Sequence, residues 1–247
     1  MKQAVRRLLG WLGYRIEGTR FTPRQLFDAG ALRRLEFDDV VCRHLIEKGE
    51  DVVFLQVGAY DGVSTDPLRK YIARFGWRGV MVEPQPGPAS RLRALYGEGS
   101  GVTVIEAAVD REPGIRSLFT VESDAVPVWA GGMASFDRNH LLKHDYLIPG
   151  IADMVRELQV PAITFDDVLA KLPAGRLDLL QIDVEGADLH ILSMFPFGRF
   201  RPAIIQWEVK NLSTAQREAA IDLLRSHGYR VAPSGNEDML AIREGGA

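Results

Sequence analysis

Short apolar runs alternate with amphipathic stretches along most of the chain. Residues 52–57, 79–82 and 102–109 are apolar runs of strand length. Between them, 67–75 and 88–96 carry helical spacing, with Pro67 suited to a first turn. Strand, helix and strand in that order predict right-handed crossovers and a parallel sheet. The alternation returns after residue 160. Thr164 and Asp167 make a capping pattern for a helix over 165–172, followed by a strand over 177–182, a helix over 187–194 and a strand over 203–209. Ser213 with Gln216 is a second capping box, opening a helix that Gly228 closes after His227. Residues 229–232 and 239–242 flank the turn Pro233-Ser234-Gly235-Asn236, which predicts a closing antiparallel hairpin.

Two segments break this rhythm. Residues 116–160 begin with a strand-like 117–121 and then lose periodicity in VPVWAGGMASFDRNHLLKHDY. A long irregular insertion is a candidate cover for a binding site. Trp129, Met133, Phe136 and Tyr146, interspersed with Ser135, His140 and His144, would form it. The plainer reading makes those aromatics a satellite core. Residues 1–50 read as a helical extension leading into a domain over 51–247. Val5, Leu8, Leu9, Leu12 and Ile16 recur at helical spacing beside Lys2, Arg6 and Arg7, so this segment either docks on its own domain or makes peripheral contact with a membrane. Its apolar run over 8–14 is too short to cross a bilayer, and Arg15 and Glu17 follow without a small-residue cleavage site.

Composition then narrows the class. A chain of 247 residues, 46% hydrophobic and 26% charged, is long enough and ordinary enough for one soluble α/β domain. The net charge of −3 gives no electrostatic footprint for nucleic acid. A single cysteine, Cys42, excludes an intramolecular disulfide framework and any multi-cysteine zinc site, and fits a reducing, cytoplasmic setting. Nothing in the sequence sets the oligomeric state.

Ligands of open α/β sheets bind beyond the carboxyl ends of the strands. Gly58, Ala59, Asp61 and Gly62 follow the first expected strand, and Glu83 the second. Glu106, Ala107 and Ala108 come late in the third, Asp183 and Glu185 follow 177–182, and Glu208 ends 203–209. Each acid alone is explained by capping or by water; together they recur along one edge. The glycine loop is Gly58-x-x-x-Gly62 with Asp61 inside, not G-x-G-x-x-G, and a carboxylate there would repel a diphosphate.

VFLQVGAYDG, VMVEPQP, VIEAAVD and LDLLQIDVEGADLHIL resemble, in order, the sites of class I S-adenosylmethionine-dependent methyltransferases. The run IDVEGAD is similar to the D-V-E-G-A/H-E segment of the FkbM family, with Asp188 where that family commonly has Glu. The resemblance covers roughly residues 52–242 and implies a single Rossmann-like domain, a mostly parallel sheet with a C-terminal antiparallel hairpin. It implies S-adenosyl-L-methionine as cofactor and O-methylation of a sugar, glycan or secondary-metabolite hydroxyl. Carried over by position, Gln56, Val57, Gly58, Ala59 and Gly62 would border the methionine and ribose, and Asp61 would help hold the amino end. Glu83, followed by Pro84, would accept both ribose hydroxyls, a geometry that suits a carboxylate. Ala107 and Ala108 would leave room for the adenine, and Asp183 would stand near the sulfonium and the acceptor.

Two routes remain open for activating the hydroxyl. His140 and His144 lie four apart in NHLLKH, on one face of a helix, and histidine titrates near neutrality as a base needs. Alternatively Asp183 and Glu208, with Asn211, would hold a divalent ion, although magnesium usually takes few carboxylates. The histidine route is the expectation taken here, with no metal ligand assigned. Two other classes compete with the methyltransferase: a nicotinamide-dependent oxidoreductase and a non-catalytic cofactor-binding protein.

Overall fold

The computed structural model describes residues 35–46, 52–64, 66–122, 128–235 and 237–243. The amphipathic segment expected before residue 35 and Asn236 of the hairpin turn lie outside the described residues, as does the Trp129 side chain. The lead-in ends in helix α1 (Phe37–His44), which buries Phe37, Val40 and Val41.

Seven strands make the main sheet: β1 (Val53–Val57), β2 (Arg78–Val82), β3 (Val102–Ile105), β8 (Leu179–Ile182), β9 (Ile204–Glu208), β10 (Tyr229–Ser234) and β11 (Asp238–Arg243). Their spatial order is β10-β11-β9-β8-β1-β2-β3. β1, β2, β3, β8 and β9 run parallel, and β11 pairs antiparallel with both β9 and β10. This is a doubly wound, mostly parallel sheet closed by an antiparallel hairpin, as expected, with its switch point between β1 and β8. Every residue of β1, β8 and β9 is buried, because helices cover both faces of a parallel sheet. The crossovers use α2 (Arg69–Phe75) and α3 (Pro86–Leu95). Val53, Leu55, Val57, Leu180, Ile182, Ile205 and Trp207 form one core face, packed by Phe165, Val168, Ile191, Leu192 and Leu224.

The apolar run 102–109 is not one strand. It breaks after Ile105, and β4 (Ala108–Val109) leaves the main sheet to pair with β7 (Val155–Ile163). Nor is 116–160 irregular. β5 (Gly114–Val121) pairs antiparallel with β7 over eight residue pairs and with β6 (Ala134–Ser135), giving a second sheet in the order β4-β7-β5-β6. Between β6 and β7 lie the short helices α4 (Arg138–Leu142) and α5 (Ile151–Met154), separated by a 3₁₀ turn over Lys143–Tyr146. Met133 is buried with Val121, Ala130, Leu141, Ile148 and Ile151 in a satellite core of its own.

Both capping boxes form. Thr164 opens α6 (Phe165–Leu169) with Asp167, and Ser213 opens α8 (Thr214–Ser226) with Gln216. Helix α7 (Asp188–Met194) follows β8 after a short loop. Among the described residues no helix is long and apolar enough to cross a membrane.

Candidate functional site

One cavity of about 640 Å³ opens at the carboxyl ends of β1, β2, β8 and β9, and is walled on the far side by β6 of the second sheet. Its first half sits over β1 and β2. Gly58 turns the chain there with a φ of 81°, and a Cβ at that position would lie 1.8 Å from the Asp183 carbonyl oxygen. Glycine is therefore demanded by the approach of two adjoining strand ends. The Gly58 and Ala59 amides both donate to the Val82 carbonyl, and the Tyr60 amide donates to Glu83 Oε2 at 2.8 Å. Tyr60 holds a positive φ of 46°. Strain of that kind in a non-glycine residue is tolerated where the surroundings fix it, as at binding sites.

Glu83 is the anchor of this half. It is 3% exposed, and its other oxygen, Oε1, accepts from the Gln85 amide at 2.9 Å. Burial pushes its pKa up to about 7, while the Gln85 and Tyr60 amides pull in the opposite direction. Each oxygen keeps lone-pair capacity beyond its one backbone bond. Val57, Val82, Pro84, Ala107 and Ala108 line the same half.

Three residues expected here are turned elsewhere. Asp61 accepts from the Val63 and Ser64 amides and the Ser64 hydroxyl, so its carboxylate closes its own turn. A Cβ on Gly62 would meet Leu92 of α3 at 2.6 Å, so the glycine admits helix packing. Gln56 donates to Asp66 at 3.3 Å and stands below the cavity. None of these lines it, nor does Ala59.

The second half lies over β8, β9 and β11, and it is acidic. Asp183, Glu185, Glu208, Glu237 and Asp238 line it, with Lys210 the one ammonium among the lining residues. Asp238 faces Glu208 directly across the antiparallel ladder. Desolvation first, then neighbouring carboxylates, raise Asp183 to about 6, Glu185 to about 7 and Glu208 to about 9. Two unlike things hold these acids in place. Glu185 has a positive φ of 51°, and the Asn211 side-chain amide donates to both Glu185 and Glu208 at 2.9 Å. Asp188, wholly buried at the start of α7, accepts from the Gly186 amide and keeps the tight Asp183–Asp188 loop closed.

Neither histidine reaches the cavity wall. His140 is buried behind the loop, its ring 3.2 Å from where a Gly186 Cβ would stand, and its Nε2 has no partner. Burial lowers its pKa, with His144 and Lys143 adding to the effect. His144 packs edge-on against it, ring centroids 5.7 Å apart. From the insertion, Ser135 and Phe136 do line the cavity, and Gly131 and Gly132 pack on the Tyr60 ring; Tyr146, 79% exposed, does not take part. Among the described residues no group of three or more His, Cys, Asp or Glu is placed to hold a metal ion.

Sequence reasoning missed Gln181, Gln206 and Asp238, all in the cavity wall. The glutamines sit inside apolar strands, where spacing alone gives no reason to select them, and Asp238 sits in what reads as a hairpin. Lys210, which follows the β9 acid by two residues, could have been found by extending the search past each strand end.

Comparison with curated proteins finds no match. Solved structures of similar fold include a precorrin-6y C5,15-methyltransferase from Geobacter metallireducens GS-15, at 13% identity over 88% of this chain and 96% of that one, TM-score 0.43. An FkbM methyltransferase from Methylobacillus flagellatus KT is 13% identical over 87% of this chain and 46% of that one, TM-score 0.44. An RNA methyltransferase from Salinibacter ruber, in complex with S-adenosyl-L-homocysteine, is 12% identical over 85% and 92%, TM-score 0.39. The model of the methyltransferase FkbM domain matches residues 56–231, a span that runs from the base of the Glu83 pocket to the closing hairpin and takes in Asp183, Glu185 and Glu208. The chain belongs to the FkbM methyltransferase family.

Proposed function

We propose that this methyltransferase binds S-adenosyl-L-methionine over β1 and β2 and methylates a hydroxyl of a sugar, glycan or small metabolite held over β8 and β9. The observation that carries the cofactor reading is Glu83: a buried carboxylate fixed by two backbone amides, with acceptor capacity left for a pair of ribose hydroxyls. Small side chains at Ala107 and Ala108 leave a slot for a flat ring beside it. A dinucleotide is poorly served here, because the first-loop amides that would cradle a diphosphate are already bonded to Val82 and Glu83.

Bound S-adenosyl-L-methionine would supply a methyl carbon made electrophilic by its sulfonium. The chain's own residues do the rest. Glu83 fixes the ribose and so sets where the methyl lies; positioning of this kind supplies much of the rate of an in-line displacement. Asp183 lines the cavity at the switch point between the halves, where it would face both ligands. Glu185, tied to Glu208 through the Asn211 amide, takes up the hydroxyl proton as the C–O bond forms. A carboxyl raised by burial to about 7 matches that task, whereas His140 is walled off behind Gly186. No step is assigned to a metal. The amide nitrogen of Asn211 points at Glu185 and Glu208 as a donor.

The direct test is methyl transfer from labelled S-adenosyl-L-methionine across a panel of sugar and polyketide hydroxyls, with EDTA present. Transfer that survives chelation and is lost in Glu185→Gln supports the assignment; full loss on chelation, restored by magnesium, reverses it.

A further inference from the structure

The acceptor half of the cavity is built from hydrogen-bond acceptors on two successive rows of one sheet face. The register pairs Gln56 with Gln181 and Gln181 with Gln206, so three glutamines from β1, β8 and β9 lie side by side. They are 2%, 5% and 5% exposed. The Oε1 atom of each has no hydrogen-bond partner. One step further along the strands come Asp183, Glu208 and, opposite Glu208, Asp238. Gln181 and Gln206 line the cavity with these acids, and the Gln206 amide nitrogen is already given to Asp238 at 3.0 Å, so its buried carbonyl oxygen is left without a donor.

Unpartnered buried polar atoms are rare in folded proteins and call for an explanation. Two carbonyl oxygens with unused lone pairs in the wall of a carboxylate cluster share one explanation, a ligand that brings the donors. The only ammonium in this lining, Lys210, is ion-paired with Glu237 at 3.0 Å. Phosphate or carboxylate on the ligand would face four carboxyls and two carbonyl oxygens with no matching donors. Neutral hydroxyls would satisfy the carbonyls but leave the acids either repelling one another or held protonated. We infer that the acceptor is a polyol or sugar bearing a protonated amine, its ammonium seated between Glu208 and Asp238 and its hydroxyl donors directed at Gln181 and Gln206.

This inference rests on the methyltransferase reading, and the raised pKa values at Glu208, Glu185 and Asp238 agree with it. A cation arriving among carboxyls held partly protonated drives their ionisation, so its binding releases protons. The test is calorimetry on the full chain saturated with S-adenosyl-L-homocysteine, in two buffers of different ionisation enthalpy. Three probes are compared: methyl α-D-glucosaminide, methyl α-D-glucoside and methyl α-D-glucuronide. The expected result is an aminosugar bound at least about tenfold tighter than the neutral sugar, or roughly 1.4 kcal/mol. Proton release should accompany it, and the glucuronide should not bind. Asp238→Asn should erase the preference while S-adenosyl-L-homocysteine binding stays at the wild-type value, which shows that the variant is folded. Equal affinity for the first two probes, tighter binding of the glucuronide, or no binding of any overturns the inference and leaves the cofactor reading standing. Magnesium chloride titrated into EDTA-stripped protein, if bound in the wild type and not in Asp238→Asn, overturns it in favour of a metal. Failure of S-adenosyl-L-homocysteine to bind at all is the separate result that removes the methyltransferase cofactor reading.

Discussion

The two halves of the cavity are both made of strand ends, yet they solve opposite problems. Over β1 and β2 one buried carboxylate, Glu83, is held by two amides among small or apolar neighbours. Over β8, β9 and β11 several carboxyls crowd together, and two glutamine carbonyls beside them go without donors. The first presents one carboxylate fixed by two amides, as suits a ligand that does not vary. The second is electrostatically unfinished, and an unfinished wall describes the ligand that completes it. Desolvation raises both kinds of carboxyl; at Glu208 the neighbouring Asp183, Glu185 and Asp188 add to it and the pKa reaches about 9, whereas Glu83, raised by desolvation alone, reaches about 7.

The largest effect expected from separating the halves is on turnover. Glu185→Gln should lower the rate of methyl transfer by about 10²–10⁴-fold, the scale for losing a general base. Steady-state kinetics with calorimetry on the same samples checks this. A fall in turnover with cofactor-product affinity intact keeps the halves distinct, and a parallel fall in both would merge them. By contrast His144→Ala, on a ring outside the cavity, should change turnover by less than about tenfold, one unit on the scale of about 1.4 kcal/mol per decade. A larger loss would return the proton transfer to the histidines.

A smaller effect concerns pH and stability without any ligand. Glu208, Glu185 and Asp183 have folded pKa values above the ordinary carboxylate range, so the native state holds protons that the unfolded chain has released. Their contribution is fully present below about pH 4, near the unfolded carboxylate values, and is lost as pH rises through about 6, 7 and 9 in turn. The melting temperature of the ligand-free protein should therefore decline from pH 5 to pH 9, and Glu208→Gln should flatten the upper part of that decline. Scanning calorimetry across this range reads the slope. A melting temperature that rises with pH in the wild type would mean that the acids are already neutralised by neighbours.

What could be read from sequence follows the same division. Buried parallel strands are short apolar runs, so β1, β2, β8 and β9 stand out, and the acids that end them, Glu83, Asp183 and Glu208, stand out with them. β7 was hidden because VRELQVPAI mixes exposed charges with Pro161 and buries only alternate positions near its end. The break after Ile105 was hidden too, since an apolar run gives no sign of which sheet it joins. Glu185 was visible as a strand-end acid but open to a capping explanation; its positive φ and its Asn211 bond place it at the cavity. The glutamine row could not be seen at all. Residues 56, 181 and 206 become neighbours only through the register of three strands far apart in the chain.

One titration bears on the whole account: S-adenosyl-L-homocysteine into the wild type, Glu83→Ala and Glu208→Gln. The account predicts that Glu83→Ala weakens binding by about 1–3 kcal/mol, the usual cost of losing a charged hydrogen-bonding partner, while Glu208→Gln leaves the affinity at the wild-type value. Unchanged affinity in Glu83→Ala, or an equal loss in both variants, would contradict the division of the cavity into a cofactor half and an acceptor half.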